Sequence, residues 1–145
     1  MNYHASRITG RCSEFAMPND PGMLKDTGLA FFEPWEADAR PDLFIAAPAN
    51  VPTWRRLRSM AFFCALRIAP GMPRNVYQNM MFTVYRQGEL QGGISGHLVD
   101  RGPGRMDKLI DLSTGMMAAL SLETGDLVEV ELAPAGLNAL LSWKL

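Results

Sequence analysis

Asp100 closes an apolar run, His97-Leu98-Val99, and is followed at once by Arg101-Gly102-Pro103-Gly104. A carboxyl in that setting sits at the rim of whatever the run builds. Burial there raises its pKa and Arg101 lowers it, which suits an acid–base group. The same residues also suit architecture, with Asp100 paired to Arg101 and bracing the turn. Further along, Ile110-Asp111-Leu112-Ser113 precedes a helical pattern. Asp111 is placed to cap the first backbone N–H groups of that helix, a role worth about 1 kcal/mol. Other acids stand in Glu33-Pro34-Trp35-Glu36-Ala37-Asp38 and at Asp42. Glu36, Asp38 or Asp42 could supply a second carboxylate, or stand solvated on a loop. Trp35 and Trp54 could stack on sugar rings or pack inside.

The remaining chemistry-bearing residues give weaker patterns. Arg55, Arg56 and Arg58 beside Trp54 form a basic cluster, read as a solvated loop ahead of a nucleic-acid patch. Cys12, Cys64, His4 and His97 are scattered and match no zinc spacing, so neither a metal site nor a cofactor is expected. Both cysteines are expected as free thiols, Cys64 inside a core strand.

These residues must be held by one small domain. The chain has 145 residues, a 48% hydrophobic and 20% charged composition and a formal net charge of -1. That is enough apolar material for one real core and offers no global field to draw nucleic acid or an anionic membrane. Residues 1–23 carry no apolar stretch of a secretory signal, and Met60 to Leu66 is far too short to span a bilayer. A product made in the cytoplasm and bound to neither membrane nor nucleic acid is expected.

The pattern along the chain is that of short strands. Residues 1–27, with Pro18, Asn19, Asp20, Pro21 and Gly22, read as an irregular N-terminal arm, and residues 28–145 as the folded domain. Gly28 to Phe32 is a first strand candidate. Pro34, Pro41, Pro48 and Pro52 argue against a long helix over residues 33–58. Phe62, Cys64, Leu66 and Ile68 alternate with Phe63, Ala65 and Arg67 up to Pro70-Gly71. Met80 to Arg86 and Ile94 to Val99 are strands joined by a glycine-rich turn. A helix follows over about Ser113 to Ser121, with Asp111 or Ser113 as its cap and Gly125 just past its end. Asp126 to Leu132 is the last strand. The ten methionines are read as core filler. Many short strands with one short helix suit a closed barrel, which leaves no sheet edge exposed.

His97 to Pro103, Ile110 to Ser113, the helix, and Gly125 to Val130 together resemble the core of the rare lipoprotein A-like family. That family carries Asp-Arg-Gly-Pro at a strand end, Ile-Asp-Leu-Ser opening a helix, and a valine-rich last strand. The resemblance covers about residues 94–132 and implies a six-stranded double-psi β-barrel. It extends more loosely to Gly28 to Phe32 and to the Pro70-Gly71 turn. The family's Thr-Ala-Ser-Gly-Glu stretch and its histidine before the proline-glycine turn have no counterpart, and Cys64 lies near the latter position.

The resemblance implies an association with peptidoglycan. In lytic members the aspartate of Asp-Arg-Gly-Pro is the acid–base group, which assigns that part to Asp100, with Arg101, Trp35 and Trp54 as substrate contacts. Two functions are expected from it. One is a virion structural protein of tail or baseplate type, built on a wall-related barrel that need not be catalytic, with other virion subunits or further copies of itself (a homo-oligomer) as partners. The other is a lytic transglycosylase acting on peptidoglycan glycan strands. The missing secretion signal favours the virion, which is assembled in the cytoplasm.

Overall fold

The computed structural model describes residues 7–17, 30–46, 55–67, 71, 73–78, 80–103 and 107–131. Strand β1 is Arg7–Glu14. A short helix α1 (Pro34–Asp38) and two strands, β2 (Phe44–Ala46) and β3 (Arg55–Leu57), follow. Then come β4 (Phe63–Ala65), the single helical turn α2 (Arg74–Tyr77), β5 (Met81–Arg86) and β6 (Ile94–Asp100). Strand β7 (Ile110–Leu112), helix α3 (Thr114–Ala119) and strand β8 (Leu127–Glu131) end the described chain.

Six of these strands close into a barrel in the order β1-β7-β4-β6-β5-β8, and β2 pairs with β3 in a separate two-stranded sheet. Two neighbouring pairs are parallel, β1 with β7 and β4 with β6, and the other four are antiparallel. Exchanging β1 with β6, β4 with β7 and β5 with β8 reproduces every one of those pairings. The barrel therefore has a pseudo-twofold path, one three-strand unit followed by another in chain order. The axis passes between β4 and β7 on one side and between β5 and β8 on the other.

Alternation decides which side chains fill the barrel. Phe82 and Val84 of β5, Leu98 of β6, Ile110 and Leu112 of β7, and Val128 and Val130 of β8 face inward with Cys12 and Cys64. Their odd-numbered neighbours on β5 and β8 face out, where Arg7 stacks over Tyr85 and pairs with Glu129 and Glu131. Met116, Met117 and Leu120 of α3 and its C-terminal end seal one side of the same core. A second core lies outside the barrel wall. Phe63 and Val99 meet Phe32, Ala37, Leu43, Phe44 and Leu57 of the segment between β1 and β4. Burying those aromatics against each other offsets the entropy of ordering that long connection.

Several boundaries differ from the reading of the sequence. The stretch read as an arm contains β1, a full barrel strand. Only Ile8 and Cys12 of it join the inner core, so its alternation is too weak to see. Ala30 and Phe31 are in a turn, Ala30 with φ 55, so the described part of Gly28 to Phe32 is not a strand. The strand around Cys64 is only Phe63–Ala65. The proline-rich region holds α1, entered with proline in its first turn, where no N–H is lost. Ser113 and not Asp111 caps α3, its Oγ accepting from Met116 N. Both cysteines are buried free thiols, although Cys12 lies in a barrel strand rather than an arm.

Candidate functional site

Asp100 reaches its position through an irregularity. Phe63 pairs with His97 and Cys64 with Leu98, but Ala65 pairs with Asp100, so Val99 is the extra residue of a β-bulge. Without that bulge Asp100, two residues after Leu98, would point the way Leu98 points, into the core. With it, Asp100 comes level with Ala65, whose neighbours Cys64 and Leu66 face inward while Ala65 faces the outer wall. On its other side Ala65 pairs with Asp111, and Asp111 pairs with Ser13. Ser13, Asp111, Ala65 and Asp100 thus form one row across four strands, with the small alanine between the two acids. The two aspartate Cα atoms stand about two strand spacings apart, ~10 Å.

The electrostatics agree with that row. Burial is the main cause that raises the Asp100 carboxyl above the ordinary value, opposed by the Arg101 N–H and the Arg101 charge. The Arg101 N–H donates to Asp100 Oδ1 at 2.8 Å. Burial also raises Asp111, and the Asp100 charge raises it further, while the Ser13 hydroxyl and Arg67 pull the other way. Ser13 Oγ donates to Asp111 Oδ1. Arg67, just beyond β4, donates from Nε to the Pro103 carbonyl at 2.8 Å. It thereby ties the turn after Asp100 back onto the strand between the aspartates. Burial thus makes both carboxyls easier to keep protonated than an ordinary aspartate, and the Asp100 charge adds to that effect at Asp111.

The other sequence candidates occupy different places. Glu36 serves a capping box, its Oε1 accepting from Glu33 N at 2.7 Å. Asp38 ends α1 and faces solvent. Asp42 is clamped by Arg40 through Nε and Nη2, at 3.0 and 2.8 Å. The same Arg40 approaches His97 Nε2 at 3.1 Å, which leaves the ring proton on the buried Nδ1. Burial first and Arg40 second hold the His97 imidazole below its ordinary pKa. Arg101 is exposed and its guanidinium lies over the Tyr77 ring, 5.3 Å from the centroid. Trp35 is 70% exposed rather than packed inside. Trp54 lies outside the described residues, as do residues 104–106 of the turn after Asp100. No group of three metal-ligating side chains occurs among the described residues.

Sequence reasoning took Asp111 for a helix cap and so missed it as the neighbour of Asp100. A strand of three residues is too short to announce itself, and the pairing through Ala65 is long-range. The chain matches no protein-family model, and no curated protein matches it. No helix among the described residues is long and apolar enough to cross a membrane.

Proposed function

We propose that the barrel is a glycan-cleaving domain of rare lipoprotein A-like type, a lytic transglycosylase acting on peptidoglycan with Asp100 as its acid–base group. The observation that carries this reading is the row in which Asp100 and Asp111 flank Ala65 on the outer wall, both with carboxyls raised by burial. Cleavage needs a carboxyl that is protonated when substrate arrives. Asp100 donates its proton to the glycosidic oxygen as the C1–O bond breaks. The carboxylate then accepts the proton of the substrate's own C6 hydroxyl, whose oxygen closes on C1 to give an anhydro sugar. The proton count on Asp100 is restored and no water is consumed. Burial favours proton retention on Asp100, and the exposed Trp35 offers a flat apolar surface to a sugar ring.

A second reading has its own support. Asp100 accepts from Arg101 N and Asp111 accepts from Ser13, so each acid already has a partner within the fold. That is what a non-catalytic barrel would need, such as a virion structural subunit of tail or baseplate type. Incubating the protein with peptidoglycan sacculi separates the two. The enzyme releases anhydro-muropeptides, and Asp100→Asn lowers the rate by about 10²-fold or more. An Asn variant as active as wild type overturns the assignment of Asp100. A folded wild-type protein that releases nothing leaves the structural reading.

A further inference from the structure

Where β8 begins, between β1 and β5, two arginines converge. Arg11 of β1 pairs in register with Leu127, and Arg86 of β5 pairs with Val128. They flank the start of β8 from its two sides and line one open cavity of about 310 Å³, together with Gln87, Leu122, Gly125 and Asp126. That volume is at the small end of the range for ligand sites.

Each guanidinium is fixed without being neutralised. Arg11 Nη1 donates to the Gly125 carbonyl at 2.7 Å. Arg86 Nη1 donates to the Leu120 and Ser121 carbonyls, at 3.1 and 2.8 Å, where it closes the C-terminal end of α3. Neither has a carboxylate partner among the described residues. Contrast Arg7, on the same side of the barrel, which is paired with Glu129 and Glu131. A guanidinium has five N–H donors, so each arginine keeps donors on Nε and Nη2. Asp126 also lines the cavity, with Oδ2 accepting from Glu123 N at 2.9 Å. The cavity therefore carries two cations against one anion, with the cations pre-positioned by backbone bonds.

We propose that this cavity is an oxyanion-binding site for a phosphate monoester group, gripped between Arg11 and Arg86. Two donors on opposite sides of a strand suit a tetrahedral dianion, which presents oxygens in more than one direction, better than a single planar carboxylate. Asp126 is then left to accept from a hydroxyl of the group that bears the phosphate. This site does not depend on the chemistry proposed for Asp100.

The test is an amide-shift titration of the ¹⁵N-labelled protein at constant ionic strength. The probes are inorganic phosphate and glycerol 3-phosphate, with acetate as the carboxylate control. Saturable shifts at Gln87, Leu122 and Gly125 to Leu127 are expected with both phosphates, tighter for the ester because of Asp126. Equal affinity for the two assigns the site to free phosphate and overturns the ester. Arg11→Gln should weaken phosphate binding by about tenfold, the loss of one charge-assisted contact. Arg86→Lys keeps a donor for the α3 carbonyls, so the fold persists, and should weaken binding through loss of the fork. Shifts that never saturate, acetate binding as tight as phosphate, or an Arg11→Gln titration that superimposes on wild type would overturn the proposal.

Discussion

The two halves exchanged by the pseudo-twofold axis follow the same three-strand path to different ends. Between β1 and β4 the first half inserts residues 15–62, with a helix, a two-stranded sheet and an aromatic core of their own. Between β6 and β7 the second half needs only residues 101–109. The first half uses its outward positions for packing, Phe63 against Phe15 and the cluster around Phe44, and places alanine at the axis. The second half gives Val99 to that packing and sets two half-buried acids on the same wall, Asp100 and Asp111. A symmetric scaffold can thus be split into a supporting half and a half that carries the acids, because topology fixes the strands and not their outer faces.

The largest expected effect would break the view that the insertion is part of one cooperative fold. Phe63 is fully buried, and its ring meets Phe15 edge-on at 5.4 Å between centroids. Phe63→Ala should cost about 3–5 kcal/mol in urea unfolding, since it leaves a cavity between the barrel wall and the insertion. A loss under about 1 kcal/mol, or two separate transitions in wild type, would make the insertion an independent appendage.

A smaller effect sharpens how the halves are joined. Gly115, in the first turn of α3, donates its N–H to the Ser59 carbonyl at 2.9 Å. A Cβ added there would fall on the Met60 carbonyl, which is backbone and cannot swing away. Gly115→Ala should therefore cost roughly 1–3 kcal/mol as an overpacked contact, despite the better helix propensity of alanine. A stabilised variant would show that the end of the insertion gives way freely and does not lock the two halves together.

How much of this was legible follows the same division. Strands β5, β6 and β8 could be read within a residue or two because Phe82/Val84 and Val128/Val130 alternate cleanly with polar partners. Helix α3 was legible from its apolar spacing and from Ser113, which in the structure also donates to the Ala61 carbonyl at 2.6 Å. The first half was harder. Strand β1 reads Arg-Ile-Thr-Gly-Arg-Cys-Ser-Glu, and its inward Gly10 has no side chain because Leu109 fills that space. Asp100 stood out through its motif, but its partner did not. The Val99 bulge and the Ala65 bridge that bring Asp111 beside it are pairings between distant segments, and no local pattern encodes them.

The smallest effect tests whether the second half holds its acids at a cost. Asp100 and Asp111 both have folded-state pKa values above the ordinary carboxylate value, with burial as the leading cause. The folded protein therefore binds more protons than the unfolded chain in that interval, and stability falls as pH rises through it. The contribution is most favourable below the unfolded value, near 3.8, and constant once both states are ionised. Asp111→Asn removes one such group while leaving an acceptor for the Ser13 hydroxyl. Relative to wild type, the Asn variant should gain stability as pH is raised from about 3 to neutrality. Urea midpoints at several pH values measure this, and the curve for Asp100→Asn should bend the same way. A relative loss with rising pH would mean that Ser13 and Arg67 outweigh burial, making the Asp111 carboxylate a favourable brace. Such a result would remove the contrast between the halves, since both would then use the wall for support alone.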